Sequence, residues 1–468
     1  VSPFLPADSV VAPPLAPAGK RAPFGWPSFA VPAPGEGAAL LRWSAAAPAG
    51  PGSLRLSTAV DDRECRHLVV RLASGRELGR MDLRYAHALE TFDLPLGAEE
   101  LAAASAEGLA LALEGGPAPL WLTAPAVAAE APGLAPALLS DTPRGSRAAA
   151  HLRRLASLDS LHAWGWLEGC VLDALGELHR LYPQSGYAAA RRAHLDRFFP
   201  ADGSLRAETP RGAPHDDAID NIESTLMFSA LAADQPDHPW LERAREWWMA
   251  HAGPDGTLLD GDMLSAEGSY TVAYPMARLA RLRDRPELAR LALAQLAVRR
   301  ERLWSGDALW LRWYPADGSR TFRNWARGLT WHFLGSVRTA AELGDHPGLA
   351  PILEDLRRLA TLALSTQRPD GLWNCFLDEP ATGPETSGSA GLATALALSA
   401  RAGWIAPVPA LAAARRAHAA LLAHLAPDGH LGGVSQANRG GEALQRSGYR
   451  VLSSMGAGLL GQLHAALA

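Results

Sequence analysis

The sequence predicts an all-α (α/α)6 barrel carrying an N-terminal β-sandwich-like domain, and three observations predict it. A proline-led Asp-Gly turn recurs at regular intervals, long Ala/Leu/Arg-rich amphipathic stretches lie between the turns, and the first 140 residues are instead written in short alternating runs. At 468 residues the chain is too long for one ordinary core. One large and one smaller domain, or a toroid with an extension, are the expected organisations.

Residues 1–140 carry runs such as "SLRLSTAV", "HLVVRLAS" and "LALALEG", separated by breaks rich in Gly, Pro and Asp. That is the pattern of a small antiparallel β-domain. The segment "GLALALEGGPAPLWLTAP" alternates and then ends in a Trp-containing strand, as the edge of a sandwich or jelly roll does. An accessory domain packed on the catalytic part is expected here, ahead of an independent sugar binder.

From residue 145 to 468 the pattern changes to amphipathic helices, for example "LEGCVLDALGELHRLYP" and "PILEDLRRLATLALSTQ". The turns "PADGSL", "GPDGTL", "PADGSR", "RPDGLW" and "APDGHL" punctuate them, and their glycines Gly203, Gly256, Gly318, Gly371 and Gly429 fall 53, 62, 53 and 58 residues apart. Each interval is the length of two helices with their connections, so the period marks an αα-hairpin repeat. About six such units fit, and six hairpins close into an (α/α)6 barrel; an open solenoid would show the same period.

Charge is near balance at −5, with 44 Lys+Arg against 49 Asp+Glu, which argues against a nucleic-acid or polybasic membrane surface. Lys20 is the single lysine, so the positive charge is almost all arginine. With the heavy Ala content this points to a GC-rich genome and weakens any lone Arg as a functional signal. Cys65, Cys170 and Cys375 are widely spaced and fit neither a disulfide framework nor a zinc site, so all three are read as reduced and structural. No signal-peptide pattern opens "VSPFLPADSVVAPPLAPAGK" and no run approaches a membrane span. A bacterial cytoplasmic protein is expected, or a periplasmic or secreted one if a leader has been removed.

An αα-barrel gathers one set of loops at one end, so polar and aromatic residues near the helix starts are expected to meet in one cleft. "LHAWGWLEGC" offers Trp164, Trp166 and Glu168. "HDDAIDNIEST" offers Asp216, Asp217, Asp220 and Asn221, and "LLDGDMLSAEGSYTVAYP" offers Asp260, Asp262, Glu267 and Tyr270. "FRNWARGLTWHF" sets Arg327 between Trp325 and Trp331, followed by His332, and "GLWNCFLDEPATGPETSGSA" adds Trp373 and Glu385. Acids at helix starts are commonly caps, and a Trp/Arg pair is commonly core packing with a salt bridge. The recurrence of aromatics at one phase of the repeat favours a carbohydrate cleft, because sugars stack through their C–H faces and bond cleavage needs an acid. The expected partner is an oligosaccharide; no cofactor, metal, nucleic acid or membrane is expected, and the sequence does not fix an oligomeric state.

These words, in this order, resemble the unsaturated uronyl hydrolases of glycoside hydrolase families 88 and 105. "WARGLTWH" is similar to the family's Trp-Ala-Arg-Gly-x-x-Trp, and "RPDGLWNCFLDEP", "ETSGSA", "GGVSQ", "AIDNIESTLMF" and "WGWLEG" match further segments from about residue 145 onward. The resemblance implies an (α/α)6 barrel that removes a 4,5-unsaturated uronic acid from the non-reducing end of lyase-generated oligosaccharides by acid-catalysed hydration of the enol ether. It puts Asp220 in place of one active-site aspartate, Arg327 in place of the uronate-binding arginine, and Trp325 and Trp331 in place of ring-facing tryptophans.

The chain departs from the family where the proton donor is expected. Instead of a Trp-x-Asp-Gly-type segment with an upstream histidine it has "SAEGSYTVAYP", so Glu267 becomes the expected acid with Asp262 in reserve. The catalytic pair read from the sequence is thus Asp220 and Glu267, with Trp166, Asn221, Tyr270, Trp325, Arg327, Trp331, His332 and Trp373 as substrate-binding candidates. Tyr270, His332 and Asn221 also keep a lyase reading open, and the same residues are compatible with hydrolysis of saturated uronides or with sugar binding without catalysis.

Overall fold

The computed structural model describes residues 3–12, 18–142, 145–209 and 211–468. Residues 1–2 and 13–17, within the stretch read above for a leader, and 143–144, at the expected domain junction, lie outside the described residues.

The N-terminal part holds two antiparallel sheets. One has the spatial order Phe4–Pro6, Ala137–Ser140, Gly52–Ser57, Thr91–Leu96, and the other Ser9–Val11, Ala39–Arg42, Leu109–Glu114, His67–Leu72, Glu77–Asp82. The quoted alternating runs fall on these strands, and Leu109–Glu114 buries every second residue as its pattern requires. Leu54, Leu56, Leu94, Leu68, Val70 and Leu111 from both sheets share one apolar core. A third, two-stranded sheet pairs Trp121 of Leu120–Thr123 with Ala30. The helix α1 (Ala98–Glu107) lies within this otherwise β-rich part. Its start is fixed by Glu100, whose Oε2 accepts from the Gly97 N–H at 2.9 Å.

Thirteen further helices follow among the described residues: α2 (Arg147–Leu155), α3 (Trp166–Leu181), α4 (Tyr187–Phe198), α5 (Met227–Asp234), α6 (Trp240–His251), α7 (Tyr274–Arg283), α8 (Pro286–Leu303), α9 (Ala326–Leu343), α10 (Ala350–Thr366), α11 (Thr386–Arg401), α12 (Pro407–Leu422), α13 (Gly441–Arg446) and α14 (Ser454–Leu467). Six of them, α3, α5, α7, α9, α11 and α14, each pack on the next, and α14 packs back on α3. Around this ring α4, α6, α8, α10 and α12 each pair with the preceding inner helix, and α2 lies against α14.

The burial pattern says why. In α9 every residue from Ala326 to Ala340 is buried, and in α11 nearly all are, whereas α10 buries a single stripe. A helix without a polar face has to lie inside, and one with a single apolar stripe lies outside it.

Four of the five Asp-Gly turns follow the outer helices α4, α6, α10 and α12, and the fifth, at Gly318, closes the β-hairpin Ala308–Trp313/Arg320–Arg323. All five glycines are left-handed, with φ between 72° and 91°, which a side chain would resist. Each turn sends the chain towards the start of the next inner helix.

Candidate active site

The N-terminal ends of the inner helices meet at one end of the ring, and their unpaired backbone N–H groups bias that end towards anions. Glu267 stands in the loop between strand Leu264–Ser265 and a π-turn, Ser269–Ala273, that runs into α7. Ser265 Oγ donates to Glu267 Oε2 at 2.8 Å and accepts from the Glu267 N–H at 3.0 Å. Arg299 of α8 pins this loop from behind, with Nε on the Ser265 carbonyl at 2.8 Å and Nη2 on that of Leu258 at 3.3 Å. Gly268 permits that contact, since a β-carbon there would overlap the Arg299 guanidinium. His332 fixes the other side, bonded through Nδ1 to Ser269 Oγ at 2.8 Å and through Nε2 to Asp355 at 2.7 Å.

Glu223 opens a 3-10 turn, Glu223–Leu226, that continues into α5. The turn is capped by Asn221, whose Oδ1 accepts from the Ser224 N–H at 3.0 Å. Asp260 belongs to a tight turn in which its N–H donates to Met263 O at 2.8 Å. Carboxylate oxygens of Glu223, Asp260 and Glu267 lie within 4.8 Å of one another. Three charges this close and this buried cannot all persist.

Burial first, then the charges of Glu267 and Asp260, hold the Glu223 carboxyl well above the usual range. Burial and Glu267 push Asp260 up to about 6, while Arg312 and Arg299 pull it the other way. Burial also raises Asp220, with His215 partly offsetting it.

A cavity of about 180 Å³ is walled by Glu223 and Glu267, by the guanidinium-bearing Arg63, Arg327 and Arg439, and by Trp166 and His87. An adjoining cavity of about 60 Å³ shares His87, Trp166, Glu223 and Arg439 and is also lined by Trp164, Asp220, Asn221, Asp61, Glu208 and Arg21. Arg63 and His87 belong to the β-rich part, which is tied down at this rim. Arg439 pairs with Asp61, Arg63 Nε donates to Asp61 at 2.8 Å, and Gln436 Nε2 donates to Glu90 at 3.0 Å. Burial and nearby arginines keep the His87 imidazole well below its ordinary pKa and therefore neutral. A larger cavity of about 650 Å³ opens where the inner helices end, but its arginines are engaged in ion pairs such as Arg338–Glu177 and Arg278–Glu342.

The sequence-derived candidates divide into those at the cleft and those behind it. Glu267, Asp220, Asn221, Trp166 and Arg327 line the two cavities, but Arg327 also has a backbone task. Its Nη1 donates to the Ser435 carbonyl and its Nη2 to that of Gln436 at 2.8 Å, with the guanidinium 4.6 Å from the Trp325 ring and 5.7 Å from that of Trp166. Trp325 and Trp331 are buried beneath, and Trp331 stacks on Tyr270 at 5.8 Å.

Tyr270, His332 and Trp373 are fully buried and are absent from the walls of these cavities. Tyr270 Oη donates to Asp173 at 2.6 Å, and the Trp373 indole donates to Ala363 O at 2.7 Å. Their apolar bulk found core partners inside the ring. Asp262 is exposed. Glu168 is locked against His194 at 2.7 Å, and Glu385 caps α11 through the Ser387 and Gly388 N–H groups. Glu223, Arg439, Arg63 and His87 were not singled out by sequence. The Asn221 cap is the signal that would have found Glu223, because it marks the helix start one turn later than Asp220.

Helical ring, clustered acids and a wall of indole and guanidinium together define a carbohydrate-active enzyme. The chain belongs to glycosyl hydrolase family 88, whose model matches residues 146–459. Among solved structures it is similar to a possible member of the GH105 family from Klebsiella pneumoniae subsp. pneumoniae MGH 78578, at 16% identity and a TM-score of 0.59 over 70% of this chain and 95% of that one. It is also similar to a glycoside hydrolase from family 105 of C. acetobutylicum ATCC 824, at 17% identity and a TM-score of 0.59 over 69% and 98%. A structure described as a polysaccharide lyase matches at 18% identity and a TM-score of 0.55, over 69% of this chain and 97% of that one. At these identities the likenesses speak for the fold. No protein with a curated description matches the chain. Among the described residues no helix is long and apolar enough to cross a membrane.

Proposed function

We propose that this glycoside hydrolase is an (α/α)6-barrel enzyme that removes a 4,5-unsaturated uronic acid from the non-reducing end of oligosaccharides, and that Glu223 and Glu267 act as its acid–base unit. The observation that carries the reading is that Glu223 and Glu267, clustered with Asp260, face Arg63, Arg327 and Arg439 across one cavity. Burial, and then the crowding of the carboxyls, favour a proton within the cluster, while the guanidinium side suits a uronate.

In this reading the shared proton passes to C4 of the enol ether, leaving positive charge at C5 and its ring oxygen. Water adds at C5 and returns a proton to the carboxylate left behind. The hemiketal then opens and releases the second sugar, and the acid is regenerated. Glu267 is the donor expected from sequence; Glu223, which lines the same cavity, joins it as the partner in place of Asp220, which lines only the adjoining cavity. Arg439 and Arg312 pull the Glu223 carboxyl downwards, but burial and the neighbouring carboxylates outweigh them.

The lyase reading draws on Tyr270, His332 and Asn221, and the first two are committed to Asp173, Ser269 and Asp355 within the core. A single assay separates the two readings. Incubated with an unsaturated uronyl disaccharide, the enzyme is expected to abolish the absorbance of the conjugated double bond; a lyase acting on an intact polysaccharide would create it. Absence of any loss on such disaccharides would refute the proposal.

A further inference from the structure

A chamber of about 20 Å³ shares His87, Trp166 and Arg327 with the cavity of the acids and is also lined by Glu90, His430 and Gln436. Its lining is polar. His87 Nε2, Arg327 Nε, both ring nitrogens of His430 and Gln436 Oε1 are buried without a protein partner. Unpaired buried polar atoms cost stability, so a seam packed only to hold the β-rich part on the ring would be apolar here. Glu90 crosses this seam and is itself buried. The chain turns back between His87 and Glu90, with Leu89 at φ 62°, so that Glu90 Oε2 accepts the His87 N–H at 2.8 Å. The same oxygen accepts Gln436 Nε2 from the ring at 3.0 Å. The Gln436 carbonyl in turn accepts Arg327 Nη2 at 2.8 Å, and the Ser435 carbonyl accepts Nη1. These bonds orient the guanidinium and leave it N–H donors to spare.

We infer that Glu90 is a positioning residue for substrate binding: through Gln436 it holds Arg327, and through a backbone N–H it holds His87, in the cavity wall that they share with Glu223 and Glu267. The inference rests on the reaction proposed above and adds a residue of the β-rich part to the support of the uronate site. Docking itself does not need this side chain, because Thr91 bridges Leu452 through the backbone and Arg439 pairs with Asp61. The segment that carries the two carbonyls is also anchored elsewhere. Glu385 accepts the Ser435 N–H at 2.9 Å, and Gln445 Nε2 donates to the Gln436 carbonyl at 2.9 Å. Removing Glu90 therefore leaves the fold and frees the orientation of Gln436 and Arg327. Burial raises the Glu90 carboxyl to about 7, against the pull of the His87 N–H, of Gln436 and of Arg439. A buried acid is a poor clasp between two domains, which an apolar pair would hold as well or better.

The test uses the full chain, an unsaturated uronyl disaccharide, and initial rates taken well below the unfolding midpoint, which is measured alongside. Glu90→Ala and Gln436→Ala are each expected to raise KM about fivefold and to leave kcat within about twofold of wild type, because a displaced Arg327 binds ground state and transition state less well alike. The double variant is expected to be no worse than the more damaged single one, since both act through one linkage. Glu90→Gln keeps the shape and an acceptor for the His87 N–H, and is expected to raise KM by about twofold to threefold. A wild-type KM in Glu90→Ala, or in Glu90→Gln where only that variant folds, would overturn the inference whatever the midpoint does, and so would KM effects that multiply in the double variant; the proposed reaction would stand. If the wild type leaves the disaccharide's double bond intact, the reaction itself is refuted and this inference falls with it.

Discussion

Replacing Asp260 by asparagine is expected to stabilise the protein at neutral pH and to leave its stability unchanged in acid. The carboxyl rises from an ordinary 3.8 to about 6, chiefly because burial disfavours its charge and secondarily because Glu267 repels it. A shift of about 2 units, at ~1.4 kcal/mol per unit, corresponds to about 3 kcal/mol of folding free energy.

The sign follows from proton counting. Below the unfolded value the group is protonated in both states and contributes nothing. As pH climbs past it, the unfolded chain releases a proton that the folded one keeps, so stability falls until the folded value near 6 is passed. The amide has no proton to lose and escapes that fall. Thermal unfolding of wild type and Asp260→Asn followed by circular dichroism should therefore show nearly equal midpoints at about pH 4 and a clear gain for the variant at about pH 8. A variant less stable at both values, or equally improved at both, would refute the claim that the cluster is held against its electrostatic preference. Turnover should fall while stability rises, as expected of a strained acid cluster kept for function.

Glu223→Gln and Glu267→Gln are each expected to lower kcat by about 10²-fold or more with KM nearly unchanged, and the double variant to be little worse than either, as for residues that act as a unit; Asp262→Asn, at an exposed site, should be close to wild type, and the reverse pattern would move the acid elsewhere. Arg327→Ala is expected to cost about 3 kcal/mol of stability as well as activity, since it strips the charge-assisted bonds from the Ser435 and Gln436 carbonyls; an unaltered unfolding midpoint with weakened substrate binding would make Arg327 purely a ligand for the uronate. Gly268→Ala should displace Arg299 and loosen the acid loop, lowering both the unfolding midpoint and kcat; wild-type values for both would show that the loop does not depend on that contact.

The helical ring was legible because its signals are local. The Asp-Gly turns needed glycine at left-handed φ, and the contrast between α11, buried almost throughout, and α10, buried along one stripe, follows directly from the placement of polar residues. Closure of the ring was not legible, because α2 completing the last pair against α14 is a contact across most of the chain length. The β-hairpin at Gly318 misled for a related reason. Its turn has the same composition as the turns after the outer helices, and only the Trp-rich alternation of Ala308–Trp313 distinguishes it.

The site was legible in residue type and less so in direction. Trp166 opens α3 and Trp373 lies in the short strand Trp373–Asn374 ahead of α11, yet one walls the cleft and the other is sealed in the core. An indole's sequence context does not say which side of the ring it faces. Asp220 and Glu223 are one turn apart, and which of them reaches Glu267 depends on where the helix begins, a point fixed by the Ser224 N–H on Asn221 Oδ1 and the Ser224 hydroxyl on the Asn221 carbonyl. Arg63, His87 and Asp61 could not have been found from the repeat at all, since they precede it and reach the cleft only through the docking of the β-rich part. The family match begins at residue 146, whereas Arg21, Asp61 and His87 of the cavity walls precede it. On the proposed reaction, chains that share the matched region and differ in this N-terminal part are expected to share the acid pair and to differ in the cavity wall that Arg21, Asp61 and His87 form.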